Sequence, residues 1–190
     1  RKLLGKGMTA AVLILALLGS GVRGEENEEV KPLAIGSTAP DFRLPGVDGR
    51  TYSLRDFSEN ALLVVFFTCN HCPTAQAYED RILALVKEYC RKGVGFAGLS
   101  SNDNRALRLN EMGYTDLGDS FAECKIRAME KLFNFPYLYD GDKQEVARLY
   151  GPRATPHFFV FDQTRKLRYE GALDDSERAH EGWHGTSCSP

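Results

Sequence analysis

The sequence predicts an α/β sandwich, and three observations carry that prediction. An apolar run, Ala61 to Phe67, stops abruptly at two cysteines spaced Cys69-x-x-Cys72. A helix-patterned stretch follows, with Tyr78, Ile82, Leu85, Val86 and Tyr89 at helical spacing. A second apolar run, Val94–Leu99, opens after Gly93, and strands alternating with helices make 61–67 and 94–99 parallel neighbours in one sheet.

The remaining elements are expected in chain order. Residues 39–44 and 51–54 are short alternating segments around Pro45-Gly46-Val47-Asp48-Gly49, where Asp-Gly signals a hairpin. The helix after the cysteines runs to about Lys92, with Gly93 as its stop. Residues 105–118 are irregular and read as a surface insertion. A helix from about Ser120 to Leu132 is expected to bury Phe121, Ala128, Met129 and Leu132. Phe135–Leu138 is extended, Gln144–Tyr150 is a small helix stopped by Gly151-Pro152, and His157–Phe161 with Lys166–Tyr169 forms a closing antiparallel hairpin.

Length and composition bound the function. At 190 residues the chain makes one domain with a substantial core, and a net charge of −2 with no basic, aromatic-interleaved patch argues against nucleic acid. Five cysteines are too few for a disulfide-stapled scaffold of this length, and the odd number leaves at least one unpaired within the chain. Arg1, Lys2 and Lys6 before an apolar stretch from Met8 to Leu18, with small residues after it, give residues 1–24 the layout of a secretory signal or an N-terminal anchor. Export would place the cysteines in an oxidising, periplasmic or other extracytoplasmic compartment, with membrane association through the N-terminus if the leader is kept. Residues 25–35 read as an acidic, solvated linker, 36–175 as the folded domain, and 176–190 as a polar tail with Trp183 and Ala179 among Ser, Glu, His and Gly.

The Cys-x-x-Cys motif carries the chemistry. Strand, then cysteines, then helix places the first thiol at a helix N-terminus, where free N–H groups and the macrodipole favour a thiolate. Cys69 is therefore the expected nucleophile and Cys72, one turn in, the resolving thiol. His71 between them is expected to stabilise the Cys69 thiolate, and with it a couple more oxidising than thioredoxin's roughly −270 mV. Cys90 and Cys124 are expected as buried, unreactive thiols and Cys188 as exposed.

Three stretches together resemble the thioredoxin-fold redoxins of the AhpC/TSA and extracytoplasmic thiol-disulfide oxidoreductase group. They are Ala39-Pro40-Asp41-Phe42 with Asp48-Gly49, Phe66 to Pro73 with its Thr68-Cys69-Asn70-His71-Cys72 centre, and Ala154-Thr155-Pro156-His157-Phe158-Phe159-Val160-Phe161-Asp162. The resemblance implies a thioredoxin-like three-layer sandwich with a mixed central sheet and an N-terminal β-hairpin. It also implies that Pro156 is a cis-proline facing the thiols, and that Thr155 beside it pairs with an extended substrate segment. Thr68 stands where the group usually has Trp, and Thr68 and Thr155 are the candidate substrate contacts. The implied partners are protein dithiols or disulfides and a redox partner, with no cofactor and no resident metal. This fold normally ends in a helix across the sheet, which the tail composition does not supply; the expectation is reduced stability.

Two other readings stand beside exchange. Cys72-Pro73-Thr74 resembles the start of a peroxidatic segment, although Cys69 stands where that pattern has Thr and Val65 where it has Pro; Arg153 is the candidate guanidinium. Metal handling, with Cu(I) or Zn²⁺ on the two thiols and His157 or His71 as third ligand, is the less favoured alternative. His180, His184 and Cys188 are also spaced like ligands, but Gly182 and Gly185 argue against a rigid helix holding them.

Overall fold

The computed structural model of the chain describes residues 30–107 and 115–174. Strand β3, Leu62–Thr68, is the axis of the fold. It is almost wholly apolar, as a strand covered on both faces must be. Leu63, Val65 and Phe67 face one layer, and Val64 and Phe66 face the other.

Strand β4 (Val94–Ser100) lies parallel to β3, with Leu62 opposite Val94 and Thr68 opposite Ser100. A short strand β5 (Tyr137–Tyr139) continues the parallel half beyond β4. On the other side of β3, β6 (His157–Phe161) and β7 (Leu167–Gly171) run antiparallel, giving the order β5-β4-β3-β6-β7. Strands β1 (Arg43–Pro45) and β2 (Thr51–Ser53) form a separate antiparallel hairpin. Its turn is held by the Asp48 carboxylate, which accepts from Tyr52 Oη at 2.6 Å and from the Arg50 N–H at 3.1 Å. The mixed sheet with an N-terminal hairpin is the arrangement expected.

Helices α1 (Pro73–Tyr89) and α2 (Phe121–Glu130) cover one face, where Tyr78, Ile82, Val86 and Cys124 meet Val64, Phe66 and Phe158. The hairpin and helix α3 (Glu145–Tyr150) cover the other, with Leu44, Tyr52, Val146 and Tyr150 against Val65, Phe67 and Phe159. Helix α1 ends through a 3₁₀ turn, Cys90–Lys92, into Gly93 at φ +82°, a left-handed position that glycine occupies without strain. Cys90 in that turn is exposed, so it is not the buried thiol expected; its position past the helix end turns it away from the sheet.

Helix α2 shows a different buried face from the one its apolar residues suggested. Cys124 and Arg127 are buried, whereas Met129 and Leu132 are 70% and 80% exposed. The reason is an ion pair between the helices. Arg127 donates from Nε and Nη2 to the two carboxylate oxygens of Glu79 on α1, both at 2.8 Å, with both side chains buried. Such a fork-to-carboxylate contact fixes the rotation of one helix against the other, because either charge buried alone would cost several kcal/mol.

Of the stretch read as a spacer, residues 30–35 are tied to the body. The Leu33 N–H donates to the Tyr150 carbonyl at 2.9 Å, and Leu33 packs on the core. The leader over 1–24 and the tail over 176–190, with His180, Trp183, His184 and Cys188, lie outside the described residues. No described helix is long and apolar enough to cross a membrane.

Replacing Arg127 alone by Met leaves the buried Glu79 carboxylate only the more exposed Lys131 ammonium at 3.7 Å, and is expected to cost up to about 3–5 kcal/mol in urea unfolding. The double replacement Glu79→Met/Arg127→Met is expected to recover most of that loss. A double variant as unstable as the single one would show that shape, not charge, sets the α1–α2 contact.

Candidate active site

Strand β3 ends at Thr68 and helix α1 begins at Pro73, so four residues, Cys69 to Cys72, bridge them. Proline at the first helical position needs no N–H there and has its φ already set. That fixes Cys72, in extended conformation, as the N-cap residue. The spacing had suggested Cys69 at the helix N-terminus and Cys72 a turn inside. The structure instead puts Cys72 at the N-terminus and Cys69 ahead of it, against the sheet. Cys69 is 2% exposed and Cys72 half-buried.

The two thiols polarise each other in one direction. Cys72 is held down to about pKa 4, first by the thiol of Cys69 donating to it and then by the Ala75 and Thr74 N–H groups of the first helical turn. Cys69 is driven far above the ordinary thiol range by donating to Cys72, by burial, and by the nearby Asp119 carboxylate. The stable reduced form is thus a Cys72 thiolate accepting from a Cys69 thiol.

Asp119 is the residue that sequence reading missed. It is fully buried directly after residues 105–118, the stretch expected to be a surface insertion. Its Oδ1 accepts the Asn70 N–H at 2.7 Å, and its Oδ2 meets His71 Nδ1 at 2.6 Å and accepts from Asn102 Nδ2 at 2.9 Å. His71 therefore faces Asp119, not Cys69 alone, and the site has the buried carboxylate that strand 61–67 lacks. Donor atoms of Cys69, His71 and Asp119 lie within 4.8 Å of one another. Asn70 was also missed: it is buried, donates from Nδ2 to the Gly118 carbonyl at 2.7 Å, and accepts from Tyr137 Oη at 3.1 Å. The only sequence trace of either residue is Ser120-x-x-Glu123, whose capping box starts α2 and pins the chain one residue after Asp119.

Thr155 and Pro156 come from the other side. The Thr155–Pro156 bond is cis. Cys69 Sγ lies 3.3 Å from Thr155 Oγ1, and Cys72 Sγ lies 3.7 Å from the Thr155 carbonyl oxygen. His157 is buried with both ring nitrogens engaged: Nδ1 accepts the Arg153 N–H at 3.2 Å and Nε2 contacts Glu170 at 2.8 Å. It braces the 153–155 loop, and of the two histidines considered as a third metal ligand only His71 stands with the thiols. Cys124 is buried below Asn70, with its thiol pushed up by burial, in line with an inert role. Thr68 lines a cleft of about 560 Å³ together with His71, Cys72, Arg153 and Thr155.

The AhpC/TSA family profile matches residues 35–170, well over half of the sequence. The chain belongs to the AhpC/TSA family, and its fold is the thioredoxin fold of the redoxins. It is 26% identical over 159 residues, covering 83% of this chain and 80% of the other, to the thiol-disulfide oxidoreductase ResA of Geobacillus thermodenitrificans. An uncharacterised conserved protein from Geobacillus kaustophilus is similar at 39% identity and TM-score 0.68, over 78% of this chain and 74% of its own. A hypothetical protein from Sinorhizobium meliloti 1021 follows at 30% identity and TM-score 0.69, over 80% and 77%. At 22% identity, a putative thiol:disulfide interchange protein DsbE from Chlorobium tepidum (TM-score 0.55, over 73% of this chain and 85% of its own) and the peroxidoxin BcpB of Mycobacterium tuberculosis (TM-score 0.58, over 77% and 90%) share the fold.

A thiol whose pKa falls on folding, from the ordinary 9.0 to about 4, stabilises the folded state above the unfolded value and loses that contribution as pH falls through the folded one. The reduced protein is therefore expected to gain stability over Cys72→Ser progressively from about pH 4 to pH 9. Above that window Cys69 ionises only in the unfolded chain and works against folding. Urea midpoints at several pH values under reducing conditions check this; a pH-independent gap would contradict it.

Proposed function

We propose that the chain is a thiol-disulfide oxidoreductase that cycles the Cys69–Cys72 pair between dithiol and disulfide. The observation carrying this reading is the pair itself: a half-buried Cys72 sulfur at a helix N-terminus, where the first-turn N–H groups and the Cys69 thiol lower its pKa, beside the buried sulfur of Cys69. Thiol–disulfide exchange requires both parts. Membership of the AhpC/TSA family and likeness to ResA support it.

The geometry favours exchanged roles relative to the spacing argument. The Cys72 thiolate attacks one sulfur of a substrate disulfide, the S–S bond breaks, and a substrate thiolate leaves. Cys69 then gives up its proton, with the His71–Asp119 pair beside it as the acceptor within reach. Its sulfur attacks Cys72 Sγ, expels the second substrate thiolate and leaves a Cys69–Cys72 disulfide. A dithiol partner restores the reduced pair, or the reverse sequence oxidises a substrate dithiol. Thr155 sets its hydroxyl beside Cys69 and its carbonyl beside Cys72, where its backbone would pair with an extended substrate segment. Stabilisation of the reduced form by the thiolate raises the reduction potential, so a couple above thioredoxin's roughly −270 mV follows. The leader-like residues 1–24 fit an exported protein, and 36–175 fit the catalytic domain.

Peroxide reduction is a second reading, favoured by one observation. Cys72-Pro73-Thr74 sits at a helix N-terminus with its thiolate on a cleft that Arg153 also lines. Attack on peroxide would give a Cys72 sulfenic acid, which Cys69 would condense to the same disulfide with loss of water.

Titration in glutathione buffers is expected to show a reversible two-electron couple above thioredoxin's value that disappears in Cys69→Ser. With an excess of substrate disulfide, Cys69→Ser is expected to accumulate a mixed disulfide on Cys72, and Cys72→Ser to form little. A pair that never closes an intramolecular disulfide would overturn the exchange reading, and peroxide consumption would then be decisive for the alternative.

A further inference from the structure

The cleft beside the thiols is built for more than access to sulfur. Four separate parts of the chain surround it: the β3–α1 bridge, residues 101–107, helix α3 with Gln144 ahead of it, and the 152–155 loop. Its volume, about 560 Å³, falls in the roughly 300–1,000 Å³ range of small-molecule sites. Phe67, Ala147 and Pro152 give it apolar wall, and Cys72 and His71 line it as well.

Its charge is what selects a ligand. Arg148, from the last turn of α3, and Arg153, from the loop that carries Thr155, both line it. Among the described residues neither guanidinium has a carboxylate partner. The acidic residue on the wall, Asp103, is already bound by Arg105, whose Nε and Nη2 reach its two oxygens at 2.9 and 2.8 Å. The whole chain has a net charge of −2, so two exposed cations without a carboxylate partner on the wall of the cleft that Cys72 also lines run against the average charge. They offset the repulsion that the thiolate would otherwise exert on an anionic substrate, and a guanidinium can grip a carboxylate through two parallel N–H groups.

We propose that this cleft binds a small disulfide bearing carboxylates, with Arg148 and Arg153 holding the carboxylates and Cys72 facing the sulfur. The inference rests on the exchange reading above and names a substrate class for that site. Per turn, Cys72 takes one sulfur of R–S–S–R and R–S⁻ leaves. Cys69 then closes the protein disulfide and expels the second R–S⁻. The two electrons come from the protein thiols; the Cys69 proton goes to one product thiolate and solvent supplies the other.

The test is single-turnover reaction of the pre-reduced full chain, quenched in acid, with released small thiol measured by chromatography. The probes are oxidised glutathione (anionic), hydroxyethyl disulfide (neutral) and cystamine (cationic). At low salt the expected order of rate constants is anionic above neutral above cationic. The anionic-to-neutral ratio is expected to fall about fivefold or more in Arg148→Gln/Arg153→Gln, and to fall in the wild type as salt shortens the screening length. A ratio unmoved by the double replacement, whatever salt does to it, overturns the proposal while leaving exchange intact. An acidic peptide disulfide reacting more than tenfold faster than oxidised glutathione overturns the assignment to a small ligand. A wild-type protein that reduces neither anionic nor neutral probe overturns the exchange reading, and this inference with it.

Discussion

Between strand β3 and helix α1 the chain has no ladder of its own, and the buried carboxylate of Asp119 holds it in place. A carboxylate with no exposure is tolerable only when its oxygens are bonded. Here it accepts from the Asn70 backbone and from Asn102, and it meets the imidazole of His71. Those contacts fix the path of the Cys-x-x-Cys bridge and press Cys69 inward. Cys72 is left at the mouth of the helix. Asp119 is itself anchored: its N–H donates to Asn104 Oδ1 at 2.9 Å, and the capping box of α2 begins at the next residue.

Much of the frame was legible because it depends on local pattern. The apolar run 61–67 and the Gly93 stop needed only period and punctuation, and the parallel pairing of β3 with β4 followed from the helix between them. The 39–54 hairpin was readable from its Asp-Gly turn, and the cis bond at Thr155–Pro156 from the family likeness. What stayed hidden depends on contacts between distant segments. Met129 and Leu132 look like a core stripe, but the Arg127–Glu79 pair turns α2 so that they face water. Asp119 directly follows a stretch whose composition reads as surface, and only its approach to Asn70, 49 residues earlier, makes it part of the site. The order of the two thiols turned on a single proline, which sets the helix start one residue after Cys72.

These details tie the motif to a definite chemistry. A thiolate at the N-cap draws on the first helical N–H groups and on the Cys69 thiol, so one sulfur is ionised at the expense of the other. The accessible sulfur is the nucleophile, and the buried one waits until a mixed disulfide forms beside it. Thr155 touches both sulfurs from the opposite side, and His157 secures the loop that carries it through the Arg153 N–H. Fold, buried carboxylate and cleft therefore act on the same two atoms.

The most direct measurement is the pH dependence of iodoacetamide alkylation of the reduced protein, with the modified cysteine located by peptide mapping. The account requires fast labelling at Cys72 that persists well below neutral pH and falls off only near pH 4, with Cys69 protected while the protein stays folded. Labelling that appears first at Cys69, or that rises only near the ordinary thiol range at pH 9.0, would contradict it.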